Sequence, residues 1–424
     1  MIRVMKGSEV DWINSIPNSW VVKKLKYVAN ERADKLPEST DSDYHFRYVE
    51  ISDVSANTGV NNYEEMSFCL APSRARKKVE IGDIIISTVR TYLKAIAIID
   101  DSDDVVVSTG FTVLYSVDIK SNFLKYVTLS DYFVNDIMAN SDGVSYPSTT
   151  SYKILQQKIL IPPSHIQESI ANYLDYMCHR IDCMLDLSEE RLKLLHELKQ
   201  SVVIKAVTKG LDSGVEMKDS GIPWIGMVPS DWIICKIKHA YNFHTGGTPD
   251  TDEPYFYSGD KIWVNISDLN VRHVNDSQKY LSQEGVDAAL IPISKKGSLL
   301  FSFKLSLGKV SFCSTDLYTN EAIATFIEGD NSLNFLYYAA PLEIVQNADE
   351  NIYGAKLLNQ RLIRNAVIAL PPRREQDLIA DYLDSECSRI DRLIELEECR
   401  IEKLDEFKQS IIYEYVTGKR EVPQ

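Results

Sequence analysis

Basic and aromatic side chains gather in two short segments of the first half of the chain. The segments SRARKK and STVRTYLK lie on either side of a predicted strand. Their candidate contact residues are Arg74, Arg76, Lys77, Lys78, Arg90, Tyr92 and Lys94. Arginine and lysine bind phosphate oxygens and the edges of guanine. A solvated surface charge is the commoner role for any one of them, but the two clusters together predict contact with DNA.

The second half of the chain carries two comparable segments. FKLSLGK stands where STVRTYLK stands in the first half, and HTGGTPDT is a predicted turn with paired glycines, hydroxyls and a proline. Their candidate contact residues are Lys304 and Lys309, then His244, Thr245, Gly246, Gly247 and Thr248. Hydroxyls and backbone amides add polar contacts to nucleic acid from loops. Corresponding loops in two related halves favour DNA binding over scattered surface charge.

The catalytic and cofactor-binding patterns that we sought are absent from the sequence. It has no GxGxxG or GxxxxGK[ST] loop for a nucleotide and no HExxH for zinc. A nuclease motif starting at Pro249 and Asp250 fails because Asp260 is followed directly by Lys261. Seven cysteines form no CxxC pair, which is typical of reduced thiols in a cytoplasmic protein. The sequence therefore predicts a non-catalytic binder or scaffold with no metal or cofactor of its own.

Charge and hydropathy limit the partners. With 46 basic and 61 acidic residues the formal net charge is −15, so we expect the isolated chain to hold DNA weakly. Positive surface for phosphates is then expected from a partner. The sequence contains neither an apolar run of about 18 residues nor a secretory signal at its start, which predicts no membrane association and a cytoplasmic location.

Two long segments of the chain are nearly the same. Residues 161–210 and 370–419 align without a gap at an offset of 209, and 22 of the 50 positions are identical. Each copy begins with a double proline and continues with apolar residues at steps of three and four, which is the pattern of a long helix with a heptad seam. The predicted seam consists of Ile170, Leu174, Met177, Ile181, Met184, Leu195, Leu198 and Val202, and of Ile379, Leu383, Ile390, Leu393, Leu404, Phe407 and Ile411.

One amphipathic helix of roughly 60 Å cannot bury its stripe alone, whereas two near-copies can bury each other. We therefore expect an intramolecular, antiparallel coiled coil, with packing elsewhere or dimerisation as the alternatives. Polar residues interrupt the seam at equivalent places, Ser188 and Arg191 in one copy and Glu397 and Arg400 in the other. These could set the register of the pair or form a notch for a partner.

Each helix follows a less similar module whose strands alternate with turns. The correspondence of the modules extends to RYVEISDV at 47–54 and IWVNISDL at 262–269. Short helices are predicted at 122–139 and 334–348. The expected class is α+β, with a pseudo-two-fold internal repeat of mixed, β-rich modules and long helices. The predicted limits are 1–163 for the first module, 164–212 for the first helix, 213–372 for the second module and 373–424 for the second helix.

This pattern resembles the specificity subunits of type I restriction–modification systems over essentially the whole chain. The resemblance lies in the tandem layout, the block SGIPWIGMVPSDWIICKIK, the GGTP turn, the strand WVNISDL and the paired PP…EQ…IAxYLD…RID…KQS helices. It implies two target-recognition domains that each read one half of a split, asymmetric DNA sequence, with the helices as spacer and ruler. It also implies two methyltransferase subunits that bring S-adenosylmethionine, and restriction subunits that use ATP.

The resemblance further assigns a set of helix residues to the framework on which partner subunits dock. These are Gln167, Ile170, Leu174 and Arg180, with their equivalents Gln376, Ile379, Leu383 and Arg389. One departure is that Glu375 of the second copy has Ile166 as its counterpart. The alternatives are the specificity chain of a related methylation-only or fused restriction system, and a scaffold that binds only proteins.

Overall fold

The computed structural model describes residues 4–10, 13–101, 103–143, 147–350 and 356–423. The fold is α+β, as predicted, and the chain divides into two compact units. The first unit combines Met1–Arg191 with Glu397–Gln424, and the second is Leu192–Leu396. Each unit therefore contains one module and part of both long helices. The predicted four-part division of the chain stays a prediction.

The first unit is built mainly from short strands. They are β1 (Met5–Val10), β2 (Ile13–Pro17), β3 (Val21–Lys24), β4 (Ala29–Glu31), β5 (His45–Val49), β6 (Val54–Ser55), β7 (Gly59–Val60), β8 (Glu64–Ser67), β9 (Ala75–Lys78), β10 (Ile84–Ser87), β11 (Ile96–Ile98), β12 (Val105–Ser108), β13 (Phe111–Ser116) and β14 (Lys158–Ile161). Its helices are α1 (Ser121–Leu129), α2 (Asp131–Ala139), α3 (Ser151–Leu155) and the start of α4 (Ser164–Lys209).

Two four-stranded sheets form the first module, in the orders β11-β10-β13-β4 and β8-β5-β12-β9. Strands β10 and β12 are buried throughout because their β-branched residues lie in the core between layers. The single helix predicted at 122–139 is wrong in one respect: it is two helices, α1 and α2. Ser130 between them has an extended backbone, and its hydroxyl donates to the carbonyl oxygen of Val127, which ends α1.

The second unit repeats this plan with different details. Its strands are β15 (Met217–Asp219), β16 (Met227–Pro229), β17 (Ile233–Lys236), β18 (Asn242–Thr245), β19 (Lys261–Val264), β20 (His273–Val274), β21 (Tyr280–Leu281), β22 (Leu299–Ser302), β23 (Val310–Cys313), β24 (Tyr318–Thr319), β25 (Ile323–Ile327), β26 (Asp349–Glu350), β27 (Lys356–Leu357) and β28 (Val367–Leu370). Its helices are α5 (Ile237–Ala240), α6 (Gln283–Ala288), α7 (Leu333–Glu343), α8 (Gln360–Asn365) and the start of α9 (Arg373–Val416).

In each module an equivalent antiparallel strand pair lies directly before the long helix. Strand β3 pairs with β14, with Val21 opposite Ile161, and β17 pairs with β28, with Ile233 opposite Leu370. The main sheet of the second module has the order β18-β25-β22-β23-β20, and a smaller one has the order β21-β19-β24. The double proline after β14 and β28 ends the strand and leads into α4 and α9, because proline has no amide hydrogen for a ladder and suits a first helical turn.

The long helices α4 and α9 pack against each other antiparallel, and equivalent ion pairs mark their register in each unit. In the first unit Lys408 Nζ lies 2.5 Å from Asp182 Oδ1. In the second unit Lys199 Nζ lies 2.6 Å from Asp391 Oδ1. At the repeat offset of 209, Lys408 corresponds to Lys199 and Asp182 corresponds to Asp391, so the two ion pairs are repeat equivalents. The predicted antiparallel coiled coil is thus confirmed.

The predicted seam is partly wrong. Met184, Leu198, Leu393 and Phe407 are exposed by 38 to 48%, while a buried stripe on the first part of α4 contains positions 170, 174, 178, 181, 185 and 188. The equivalent positions 379, 383, 387, 390, 394 and 397 form a buried stripe on the first part of α9. In α4 the buried residues 178 and 185 replace the predicted residues 177 and 184, so the buried stripe is shifted by one position there. This shift arises because each long helix packs against a module as well as against the other helix.

The polar interruption lies inside this stripe. Ser188 and Glu397 are buried in the first unit. The guanidinium nitrogens of Arg191 and Arg400 lie 3.5 and 3.6 Å from the Glu397 carboxylate oxygens. One buried carboxylate is therefore balanced by two arginines that are themselves repeat equivalents.

Hydrophobic cores join each module to the long helices. In the first unit Phe123, Phe133 and Trp20 of the module pack in one cluster with Leu174 of α4 and Ile411 of α9. In the second unit Phe326, Phe335 and Trp232 pack in one cluster with Val207 of α4 and Leu383 of α9. Among the described helices, none is long and apolar enough to cross a membrane.

Candidate nucleic-acid interface

Backbone hydrogen bonds bring the two predicted basic segments, 73–78 and 87–94, together at one edge of the first module. Thr109 N donates to Arg74 O at 2.8 Å, and Thr88 N donates to Gly110 O at 2.8 Å. Arg90 N donates to Pro147 O at 2.9 Å. The turn 108–110 therefore joins the Arg74 segment to the hairpin that carries Arg90. We call the residues Arg74, Thr88, Arg90, Thr109, Gly110 and Pro147 the first edge.

The four basic residues of SRARKK have different surroundings. Arg74 is exposed, and its Nε lies 2.9 Å from Glu50 Oε2. Arg76 is half-buried, with its guanidinium over the ring of Phe68, and Lys78 is exposed. Lys77 is buried, and its Nζ donates to Phe111 O at 2.7 Å and to Glu31 at 3.1 Å. Lys77 thus stabilises the module from within, since its charge is already satisfied there.

The hairpin between β10 and β11 carries the other three candidates, and they differ in what they contact. Arg90 has a left-handed backbone with φ of 48°, and Tyr92 is exposed by 49%. Lys94 instead faces the long helices, because its Nζ donates to Asp131 and to Gln409 of α9, both at 2.7 Å. Lys94 holds the hairpin against the helix pair.

The GGTP turn of the second module is shaped by close packing. A Cβ on Gly246 would lie 1.9 Å from Thr319 O, so only glycine fits there. Gly247 N donates to Thr319 O at 3.0 Å, and Gly247 O accepts from the Trp263 indole at 3.1 Å. Thr245 Oγ1 accepts from Gln360 at 2.7 Å. Gly246 therefore serves the fold by letting the end of β18 run close to β24.

Two predicted segments of the second module meet at a carboxylate that the sequence did not single out. The Thr248 hydroxyl donates to Glu321, and Lys304 Nζ lies 3.7 Å from Glu321 Oε1. Phe303 N donates to Ala322 O at 2.9 Å, which is the counterpart of the bond from Thr88 to Gly110. We call the residues Thr248, Lys304, Leu305, Glu321 and Ala322 the second edge.

Two further candidates lie beside the second edge. Lys309 Nζ donates to Asn270 Oδ1 at 2.6 Å, which fastens the base of its hairpin. His244 is half-buried, and burial lowers the pKa of its imidazole. A neutral imidazole at ordinary pH offers hydrogen bonds but no charge to DNA.

The two edges have the same backbone but different side chains. Arg90 and Leu305 occupy the same place in equivalent hairpins, β10–β11 and β22–β23, and Leu305 is also left-handed with φ of 58°. The motif ISD forms the same capped 3-10 turn in both modules, with Glu50 before it in one and Asn265 in the other. One scaffold thus presents unlike chemistry in the two modules.

Burial, local hydrogen bonds and charges shift the pKa of one group at each edge, Tyr48 beside the first and Glu321 at the second. Burial and a hydrogen bond to Glu50 raise the pKa of Tyr48 to about 12, so Tyr48 remains a donor to that carboxylate at 2.5 Å. Burial pushes the pKa of Glu321 upward, but the Thr248 hydrogen bond and Lys304 outweigh it and leave that pKa below its usual value. Glu321 is therefore anionic near neutral pH and can accept hydrogen bonds.

Two of the helix residues assigned to the docking framework, Gln167 and Gln376, tie the modules to the long helices, and the docking role of the set stays a prediction. Gln167 accepts from Lys120 N at 2.9 Å and donates to Pro162 O at 2.9 Å. Gln376 accepts from Ser332 N at 2.8 Å and donates to Pro371 O at 2.8 Å. Each glutamine ties the start of a module helix, α1 or α7, to the start of a long helix. Both are buried, as are Ile170, Leu174, Ile379 and Leu383.

A second pair of anchors was missed in the sequence. Tyr126 OH donates to Asp175 Oδ1 at 2.6 Å, and Tyr338 OH donates to Asp384 Oδ1 at 2.6 Å. Both aspartates belong to the YLD shared by the repeats, which was the signal available. Arg180 and Arg389, by contrast, are exposed, and they donate to Tyr176 and Glu386 of their own helices.

Comparison with known proteins agrees with this architecture. Residues 17–190 and 229–406 match the family described as type I restriction modification DNA specificity domain. The MjaIX specificity subunit of Methanocaldococcus jannaschii is 26% identical over 178 residues, 40% of each chain. The MjaVIII specificity subunit of the same organism is 21% identical over 323 residues, 72% of this chain and 69% of that one. The EcoBI specificity subunit of Escherichia coli is 21% identical over 314 residues, 68% and 63% of the two chains.

Solved structures share the fold. A chain from work on complex assembly and conformational transition of the type I R–M system is 22% identical, with a TM-score of 0.79 over 96% of this chain and 99% of that one. The HsdS subunit from Thermoanaerobacter tengcongensis is 22% identical, with a TM-score of 0.55 over 96% and 98%. The family match covers both modules and most of both long helices, so this chain belongs to the type I restriction–modification DNA specificity family.

Proposed function

We propose that this chain is the non-catalytic, DNA-reading subunit of a type I restriction–modification complex. Each module reads one half of a bipartite, asymmetric target in duplex DNA, and the paired helices set the spacing of the two halves. Two methyltransferase subunits and, where present, restriction subunits assemble on it. Methyl transfer and cleavage belong to those partners, which use S-adenosylmethionine and ATP.

One observation carries the proposal: the modules are anchored identically but present unlike edges. Gln167 and Gln376 make equivalent bonds to their modules, and so do Asp175 and Asp384. The surface residues Arg90 and Leu305, in contrast, differ in charge and in hydrogen-bonding capacity. Equal anchoring with unequal edges is what a reader of two different half-sites requires, because base identity is read by side chains on a fixed backbone.

The exposed face of the long helices supports partner docking. In the first unit Met184, Leu187 and Phe407 are exposed by 38, 65 and 48%. In the second unit their repeat equivalents Leu393, Leu396 and Leu198 are exposed by 40, 66 and 46%. Exposed apolar side chains in a patch mark interaction sites. Two equivalent patches suit two copies of one partner, so we assign one methyltransferase subunit to each.

The direct test is to express the full chain with its methyltransferase subunit and sequence the methylated bases of genomic DNA. We expect methylated adenines in a target of two unlike half-sites separated by a fixed gap. Methylation at a continuous sequence, or at none, would contradict the proposal. The purified chain alone should transfer no methyl group, and transfer by the chain alone would contradict its non-catalytic role.

A further inference from the structure

The hairpin between β22 and β23 exposes a large apolar side chain at its tip. Leu305 is 96% exposed, and its φ of 58° places it in the left-handed region that disfavours branched side chains. Both features are unfavourable for the isolated fold. Strained backbone at residues other than glycine is concentrated at functional sites in proteins, so its occurrence at a fully exposed apolar tip favours a binding role.

The rest of the hairpin is firmly held, so Leu305 is presented and not merely loose. The Ser302 hydroxyl donates to Ser306 O, and Gly308 N donates to Ser302 O at 2.9 Å. Lys309 N donates to Ser302 Oγ at 2.9 Å. Hydrogen bonds therefore close the loop and order the backbone from which Leu305 projects.

The neighbours of Leu305 are polar groups suited to base edges. Lys304 and Thr248 both contact Glu321, so a cation, a hydroxyl and a carboxylate stand beside one leucine. Lysine reads guanine acceptors, a carboxylate accepts from cytosine N4, and threonine suits either donors or acceptors in the major groove. The apolar feature that a base presents there is the C5-methyl group of thymine.

We infer that Leu305 is a specificity-determining residue that contacts a thymine methyl group in the half-site read by the second module. This inference rests on the proposed function and deepens it. The equivalent residue of the first module is Arg90, whose guanidinium suits guanine, so the two hairpins read different bases from the same position.

The test replaces thymine by deoxyuridine, which removes only the methyl group. The complex of the full chain with its methyltransferase subunits is titrated with duplexes that carry deoxyuridine at each thymine of either half-site in turn. For the unmodified complex we expect one position in the second half-site to weaken binding about fourfold, the effect of burying one methyl-sized group. For Leu305→Asn that position should become insensitive, since asparagine tolerates the left-handed backbone but cannot make the apolar contact.

Leu305→Met is the matched variant, because it keeps an apolar side chain and should keep the methyl sensitivity. The thymines of the first half-site serve as the internal control, and thermal melting verifies that each variant is folded. If no thymine in the second half-site is methyl-sensitive, or if Leu305→Asn leaves the sensitivity unchanged, the inference is wrong. The proposed function fails separately, by the absence of a bipartite target for the unmodified complex.

Discussion

At the scale of single residues, the core of the second unit contains a carboxylic acid without charged partners. Glu343 of α7 is fully buried. Its Oε1 accepts from Ala369 N at 3.4 Å, and Oε2 has no hydrogen-bond partner within the described part of the chain. Burial raises the pKa of this carboxyl well above its ordinary value. Glu343 is therefore protonated in the folded protein over a range where it is ionised in the unfolded chain.

We predict that Glu343→Gln removes a pH-dependent loss of stability. Above the ordinary glutamate pKa the unfolded chain releases this proton while the folded protein keeps it, so the free energy of unfolding falls as pH rises, until the raised folded pKa is reached. The variant lacks this slope of about 1.4 kcal/mol per pH unit. Denaturant unfolding of both proteins at about pH 5 and about pH 8 should show the variant gaining relative stability at the higher pH.

Exposed Glu284→Gln is the control, since Glu284 lies in solvent at the start of α6 and should leave the pH slope unchanged. An equal pH dependence for the parent and Glu343→Gln would mean that Glu343 is ionised in the folded state, contrary to the expectation from its burial.

The candidate site shows which residue roles can be predicted from sequence. Residue type identified Arg74 and Lys304 as surface cations, but it could not show that Lys77 bonds inside the module. That outcome depends on the carbonyl of Phe111, which is distant in sequence. The GGTP turn was singled out as a DNA-contacting loop, which stays a prediction, and its packing role was not foreseen. Its glycine allows close approach to Thr319, which only the sheet topology reveals.

At the scale of elements, the repeat predicted the long helices and their antiparallel pairing but not their faces. A heptad pattern assumes one partner, whereas α4 and α9 pack against both each other and a module. The face containing Leu187 and Leu396 therefore stays outside both contacts, although its residues are as apolar as those of the seam.

We predict that these leucines each hold one methyltransferase subunit. Leu187→Glu should remove one subunit from the complex, Leu396→Glu should remove the other, and the double variant should bind none, because an added charge opposes burial of the patch. Native mass spectrometry or light scattering of the copurified complex gives the stoichiometry. Val117→Glu, at a residue that is also 61% exposed but lies off the long helices, should retain both subunits. Full assembly by the double variant would place docking elsewhere.

At the scale of the whole molecule, the internal repeat allows one module to be replaced by the other. Residues 29–157 and 241–366 occupy equivalent positions between equivalent strand pairs, β3–β14 and β17–β28. The first module supplies its own Tyr126 and Lys120 for the contacts that Tyr338 and Ser332 make with α9. A chain with residues 29–157 in both places should therefore keep its anchors and carry two copies of the first edge.

We predict that this chain directs methylation to an inverted repeat of the first half-site. Two copies of one reader on equivalent anchors should read the same half-site twice, and we expect an inverted, two-fold arrangement because the anchoring helices run antiparallel. Sequencing of methylated genomic DNA from cells that express the chain with its methyltransferase subunit reads the new target directly. Persistence of the original second half-site would show that residues outside 241–366 read it, and two half-sites in direct repeat would contradict the two-fold relation.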